Sequence, residues 1–285
     1  MLHTKIKGLA RLFRFELPFA AGVCVLLGEL LAMGRLPSLF HVFTGFFSIF
    51  CLSATALILN DYFDIETDRI NSPDRPLPSG MVTKSEVIIL SIIVALAGFF
   101  FSMLISITAL TVACVVWLIG FLYNWKFKKT GIWGNLLVCI SVGMTFIYGG
   151  ITVGYPFDKM VWYFAVLALF IDLGEEIAAD SLDIEGDKKS GSSSLAVLLG
   201  PVKSMRIAAG IFCLVVIIST IPFFTGWLKP VFLLPIISMD VNIILSTLNL
   251  LKKNQPNRIT DIKRIYLGGL GAMILFLVLR IVPGS

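Results

Sequence analysis

The chain has 285 residues, 57% of them hydrophobic and 14% charged, with a mean hydropathy of +0.93. A soluble domain carries about a quarter charged residues, so this composition excludes one and indicates an integral membrane protein. The net charge of +5 and the pI near 9.0 do not signal nucleic-acid binding, because membrane topology accounts for where the cations fall.

A basic tail with Lys5, Lys7, Arg11 and Arg14 comes first, followed by an apolar run at 15–33. The run is long and no small-x-small cleavage site follows it, so it reads as a retained helix and not a signal peptide. Further runs follow at 38–60, 86–106, 108–125, 134–153, 160–180, 206–226, 229–251 and 265–283. Each is close to the 17 to 25 or so residues a helix needs to cross the hydrocarbon core. Unbroken runs of this kind are helical, whereas barrel strands are alternating segments of about ten residues. The expectation is an all-α, polytopic single domain over 1–285 with about nine transmembrane helices.

With the N-terminus in the cytoplasm, the tail and the 2–3, 4–5, 6–7 and 8–9 connections hold 19 of the 23 Lys and Arg. Only Arg35, Lys159, Lys229 and Arg280 lie elsewhere, and the positive-inside rule gives that orientation. The five cysteines all sit in apolar runs without CxxC spacing, which makes them packing residues. His3 and His41 are isolated and receive no role.

The chain repeats itself. Residues 61–68 read DYFDIETD and residues 180–187 read DSLDIEGD, both of the form D-x-x-D-I-E-x-D, at a constant offset of 119. The first copy ends the second expected helix and the second ends the sixth, so both emerge on the cytoplasmic face of a four-helix repeat, helices 1–4 and 5–8. Of the 18 acidic residues, five lie in 61–74 and seven in 172–187. On a continuous helix, Asp61, Asp64 and Asp68 fall within about 60° of arc, and so do Asp180, Asp183 and Asp187. Asp172, Glu175 and Glu176 carry the second stripe back into an apolar run, where ionisable groups are costly and default to function.

Carboxylates crowded on one face repel each other unless a cation sits among them. Oxygen ligands suit hard divalent ions, and Mg²⁺ is typically held by one or two carboxylates plus substrate phosphates. Two such clusters suit two Mg²⁺ ions around a diphosphate. Neither copy has the alternating ligands and central Gly of an EF-hand loop. The plainer reading, ion pairs with nearby Arg and Lys at a helix end, fits one copy better than two in register. Arg75 in the turn INSPDRPLPSG (70–80), and Lys126, Lys128 and Lys129 in YNWKFKKTGIWGN (123–135), are cations a diphosphate could use.

With these residues in view, the chain resembles the UbiA superfamily of intramembrane prenyltransferases over nearly its whole length. NDYFDIETDRINSPDRPLPSG (60–80) resembles the family's first motif, N-D-x-x-D-x-x-x-D followed by N/D-R-P-L-P-S-G. DSLDIEGDKKSG (180–191) resembles the second, with Asp183 and Asp187 as its D-x-x-x-D pair and Asp180 preceding. The resemblance implies nine helices around a central cavity, with Mg²⁺ held by Asn60, Asp64, Asp68, Asp183 and Asp187. It implies a prenyl diphosphate donor beside Asn60, Asp61, Arg75 and Asp180, and it carries a family Tyr and Lys onto Tyr123 and either Lys126 or Lys128. Metal-assisted ionisation of the allylic C–O bond, in a cavity that excludes water, is the implied chemistry.

The family's acceptors include aromatic quinone precursors and a prenylglyceryl phosphate of archaeal ether-lipid synthesis. The opening RLFRFELPFAAG (11–22) departs from the R-P-x-N opening of several members. A small aromatic acceptor is the expectation, with the glyceryl phosphate lipid as the alternative. An ion-coupled carrier also has repeats and intramembrane acids, but its sites lie near the bilayer midplane and not at helix ends. The D-G-x-x-A-R…G-x-x-x-D-x-x-x-D segment of CDP-alcohol phosphotransferases is absent.

Overall fold

Every apolar run read above is a helix in the computed structural model, which describes residues 2–252 and 258–281. In chain order the helices are α1 (Leu2–Leu12), α2 (Glu16–Met33), α3 (Leu39–Phe63), α4 (Ile65–Asn71), α5 (Lys84–Ile105), α6 (Ile107–Leu122) and α7 (Ile132–Thr152). There follow α8 (Lys159–Asp180), α9 (Ile184–Ser190), α10 (Leu195–Leu199), α11 (Pro201–Phe224), α12 (Leu233–Leu250) and α13 (Arg258–Ile281). Positions 282 and 283 of the last expected span lie outside the described residues. Among the described residues, eight helices are long and apolar enough to cross a membrane. The ninth expected span, 160–180, is α8, which has the length but carries Asp172, Glu175, Glu176 and Asp180 and so falls outside those eight.

Two compact units divide the chain. The first comprises Met1–Met33, Pro37–Lys128 and Met144–Trp162. Its centre is the pairing of α3 with α5, through a stripe on α5 formed by Val87, Ser91, Val94, Ala95, Gly98 and Ser102. Small residues let the backbones close up. A Cβ at Gly98 would stand 2.8 Å from Leu52 Cδ2 and 3.0 Å from the Ser48 carbonyl oxygen. The other face of α5 exposes Ile89, Ile92, Ile93, Leu96 and Phe100, a surface that suits lipid chains. One phenol ties three helices of this unit: Tyr148 Oη on α7 lies 2.8 Å from Ser48 Oγ on α3 and 3.0 Å from Ser102 Oγ on α5.

The basic tail, which hydropathy alone left without structure, forms the amphipathic α1. Its Leu12 is fully buried with Ala54, Ile58, Ile65, Leu77 and Val82. The chain turns from α1 into α2 through Phe13–Phe15, and α5 begins on a capping box in which Thr83 and Glu86 satisfy each other's backbone N–H.

The second unit comprises Gly34–Leu36, Lys129–Gly143 and Tyr163–Ser285. Aromatic contacts join α8, α13 and the single turn before α12, with ring centroids of Phe164 and Phe276 4.7 Å apart and of Phe232 and Phe276 4.5 Å apart. Tyr163 Oη donates to the Ser219 carbonyl at 2.9 Å, and Ser219 Oγ lies 2.8 Å from Asp240 Oδ2, so α8, α11 and α12 share buried polar links.

Each copy of the Asp motif falls on a helix break. In the first, α3 stops at Asp64 and the seven-residue α4 begins; in the second, α8 stops at Asp180, Asp183 caps the seven-residue α9, and Ile184 and Ser190 stand 119 positions beyond Ile65 and Asn71. The continuous helix assumed for the arc calculation is therefore interrupted in both copies. Register is nevertheless kept in the first, where Asp64 N donates to the Asn60 carbonyl at 2.9 Å and Asp68 N to the Asp64 carbonyl at 2.8 Å.

Candidate active site

In the first unit each aspartate of the motif holds a cation. Asp61, 1% exposed in the last turn of α3, accepts from Arg14 Nη2. Asp64, at the break between α3 and α4, accepts from Lys128 Nζ. Asp68, in α4 and 5% exposed, accepts from Arg75 Nη1 at 2.6 Å, and the same guanidinium nitrogen stands 3.7 Å from Asp61 Oδ1. Glu66 points away, as its position predicts, and pairs on the surface with Arg69 at 3.0 Å.

Local structure delivers each cation. Arg75 lies in the Pro-rich turn after α4, anchored by the buried Leu77 and Val82 and closed by the bonds Ser79 N to Arg75 O and Val82 N to Pro76 O, at 3.0 and 3.2 Å. Lys128 follows a π-turn at Tyr123–Phe127, where Lys128 N bonds the Tyr123 carbonyl at 2.8 Å, five residues back. Single π-turns of this kind are frequent at functional sites. Lys126 is exposed and pairs with no carboxylate among the described residues, whereas Lys128 reaches the motif. Tyr123 is half-buried at the start of the turn.

Asn60 completes the group. In one amide orientation its nitrogen donates to Asn124 Oδ1 at 2.9 Å; in the other it donates to Asp64 Oδ2 at 3.1 Å and its oxygen accepts from Lys128 Nζ at 2.8 Å. Asn124, in turn, is held by its own donations to the Ala56 and Gly120 carbonyls at 2.8 and 3.1 Å.

The second unit is different in kind. Asp180 accepts from Asn135 Nδ2 at 3.0 Å and feels the charges of Asp183 and Asp187. Asp183 Oδ1 accepts from Gly186 N at 3.3 Å, the usual N-cap arrangement. One α8 turn and two turns deeper, Glu176, Glu175 and Asp172 interact with one another, and Cys139 lends Asp172 a thiol hydrogen bond. Among the described residues, none of Asp172, Glu175, Glu176, Asp180 or Asp183 pairs with a Lys or Arg. The plainer ion-pair reading thus describes Asp61, Asp64 and Asp68 of the first copy but not Asp180 and Asp183 of the second.

Sequence reasoning overlooked Arg14, Asn124, Asn135 and the Cys139–Asp172 contact. The two asparagines carried a signal, since each is an amide inside or beside an apolar run. Arg14 had been counted only toward topology.

No three His, Cys, Asp or Glu side chains converge on one point among the described residues. Within the first unit, Asn60, Asp64 and Asp68 offer oxygen ligands of the kind hard cations take, with Asp64 and Asp68 paired to Lys128 and Arg75; within the second, Asp183 and Asp187 repel Asp180.

The model of the UbiA prenyltransferase family matches residues 21–270, a stretch that contains both Asp motifs. The chain belongs to this family. As a UbiA-family member it is an integral, multi-pass membrane prenyltransferase, in place of the carrier that the repeat also admitted. It is 32% identical to the digeranylgeranylglyceryl phosphate synthase of Pyrococcus furiosus over 248 residues, 87% of this chain and 88% of that protein. It is 34% identical to the synthase of the same name from Thermococcus sibiricus, over 83% of each chain. Among solved structures, one of a digeranylgeranylglyceryl phosphate synthase superposes with a TM-score of 0.83 at 31% identity, covering 97% of this chain and 99% of the other. A UbiA homologue from Archaeoglobus fulgidus, bound to GPP and Mg²⁺, shares the fold with a TM-score of 0.71 at 20% identity, covering 96% and 99%.

Proposed function

We propose that this UbiA-family prenyltransferase transfers a prenyl group from a prenyl diphosphate to a glyceryl-phosphate lipid, with magnesium, releasing diphosphate. The observation that carries the donor half is the first-unit arrangement of three carboxylates, each paired with a cation, because a metal-bound diphosphate needs both charges at one place. The acceptor half follows the similarity to digeranylgeranylglyceryl phosphate synthases over more than four-fifths of the chain. That similarity favours the ether-lipid alternative over the aromatic ring expected from the sequence.

In this reading Asn60, Asp64, Asp68, Asp183 and Asp187 would hold Mg²⁺. Bound magnesium supplies Lewis-acid withdrawal of charge from the diphosphate oxygens as the allylic C–O bond breaks. Lys128 and Arg75 give up Asp64 and Asp68 and turn their N–H donors to the phosphate oxygens, where charge accumulates as diphosphate departs. The hydroxyl oxygen of the acceptor forms the new bond to the allylic carbon, and its proton is released. Asn60 bridges the two roles, with its oxygen and nitrogen within reach of Lys128 and Asp64. The basic tail and basic connections support a cytoplasmic N-terminus and a cytoplasmic face for both motifs.

The test uses purified full-length protein in lipid nanodiscs with Mg²⁺, labelled geranylgeranyl diphosphate, and geranylgeranylglyceryl phosphate, 4-hydroxybenzoate and dihydroxynaphthoate as competing acceptors. Labelled ether lipid with stoichiometric diphosphate is the expected product, abolished by Asp64→Ala and by Asp183→Ala. Prenylation of an aromatic acid with none of the lipid would reject the acceptor, and full turnover by folded Asp64→Ala would reject the site.

A further inference from the structure

Among the described residues, one non-glycine position has a positive φ, Arg14 at +43°. It lies in the turn that carries the chain from α1 to α2, a place where glycine would adopt the left-handed backbone without steric penalty. Arginine at this position gains something through its side chain. Its Nη2 donates to Asp61 Oδ1, a carboxylate 1% exposed in the first Asp motif.

Asp61 has a second suitor. Arg75 Nη1 is 3.7 Å from Asp61 Oδ1 while donating to Asp68 Oδ2 at 2.6 Å. Arg14, Asp61, Arg75 and Asp68 therefore form a line of alternating charge. Arg14 satisfies Asp61 at close range, and Arg75 is left engaged with Asp68.

The backbone on either side is held. Leu12, two residues before Arg14, is fully buried against Ile58, Ile65, Leu77 and Val82. Farther back, Lys5 Nζ is 2.6 Å from Glu86 Oε1, and the other oxygen of Glu86 accepts from Thr83 N at 2.8 Å. The helix α1 is thus fixed to both ends of the loop that carries Arg75.

We infer that Arg14 is a positioning residue for the diphosphate site: by neutralising Asp61 it keeps Arg75 available to the diphosphate. The inference rests on the prenyl-transfer reading above. A buried carboxylate deprived of its partner draws in the nearest cation, because an uncompensated charge there is costly. Without Arg14, Arg75 closes the gap to Asp61 and withdraws from Asp68 and from the ligand. Neutralising Asp61 as well removes the pull and returns Arg75 to its place.

The experiment compares wild type, Arg14→Gln, Arg14→Lys, Asp61→Asn, the double variant Arg14→Gln/Asp61→Asn, and Asp64→Ala. Each is assayed in nanodiscs for the KM of geranylgeranyl diphosphate, for kcat and for thermal unfolding. Arg14→Gln should raise the donor KM about tenfold, the loss expected for one charge-assisted contact. Arg14→Lys should raise it about threefold, since an ammonium matches a carboxylate less well than the guanidinium fork. The double variant should return KM to within about threefold of Asp61→Asn alone, the non-additivity expected of coupled neighbours.

Wild-type KM in both Arg14 variants, with Asp64→Ala inactive, overturns the inference and leaves the site reading intact. A double variant as impaired as Arg14→Gln also overturns it, because Arg14 would then touch the diphosphate directly. A fall in unfolding temperature with unchanged KM reduces Arg14 to a structural role and overturns it too. Retained turnover in Asp64→Ala is a separate failure, of the prenyl-transfer site itself.

Discussion

Lys128→Met separates the two partners that Lys128 is proposed to serve. Lys128 Nζ sits on Asp64, with side-chain exposures of 34% and 15%, so the pair is neither buried nor fully screened. Two unit charges about 4 Å apart attract by about 4 kcal/mol at an effective dielectric of about 20, before desolvation and side-chain ordering are subtracted. Half-exposed pairs retain about 1 kcal/mol net. A metal ion that takes Asp64 must displace this ammonium, so its removal should strengthen apparent Mg²⁺ binding by about fivefold. The same substitution deletes a charged donor to the departing diphosphate, worth about 1.5 to 3 kcal/mol, so kcat/KM for the donor should fall about ten- to hundredfold. The assay is a Mg²⁺ titration of initial rates at several donor concentrations, with metal binding followed separately by calorimetry. A tighter metal with a weaker reaction is the signature. If Mg²⁺ affinity and kcat/KM fall together, Lys128 is not a competitor for Asp64 and the exchange of partners is wrong.

Glu66→Gln, which breaks only the surface pair with Arg69, should leave activity within about twofold and stability within about 0.5 kcal/mol, whereas Asp68→Asn should lower turnover at least about a hundredfold. Parallel kinetics and thermal unfolding distinguish them, and equal losses would contradict the sorting of these acids. Gly98→Val places a side chain where a Cβ already meets Leu52 and the Ser48 carbonyl, and should lower stability by about 1 to 3 kcal/mol in detergent unfolding curves. Tyr148→Phe removes the bridge between Ser48 and Ser102 and should cost about 0.6 to 1.7 kcal/mol with kcat unchanged. Chelation by EDTA should abolish turnover, with recovery on added Mg²⁺; activity persisting in EDTA would count against metal dependence.

The long helices were legible because crossing a bilayer demands an apolar run of a set length, and that demand leaves a mark at each of the nine runs. The acidic α8 was also visible, since only its length and neighbours had to be read. The breaks after Phe63 and Asp180 were hidden. A seven-residue helix such as α4 or α9 is too short for periodicity to separate from the end of its long neighbour, so the motif looked like one continuous turn of carboxylates. The tail helix α1 escaped for a related reason, because basic residues suggested topology and masked the apolar face that buries Leu12. Partner choice was the least accessible feature. Arg14 and Asp61 are 47 positions apart, and Lys128 and Asp64 are 64 apart, separations at which sequence spacing carries no geometric information. Arg75 was found because it stands seven residues from Asp68, inside the same motif.

The widened turn at 123–127 sets the phase of everything immediately after it. Ordinary α-helical winding turns by about 100° per residue, so excising a single residue from this stretch would swing the Lys128 ammonium about a quarter of the way around the helix axis. The same excision would leave Asn124 and Lys128 unable to meet Asn60 and Asp64 together. A local irregularity of winding thus works as a rotational spacer, and a sequence that regularised it would have to draw the cation that meets Asp64 from another position.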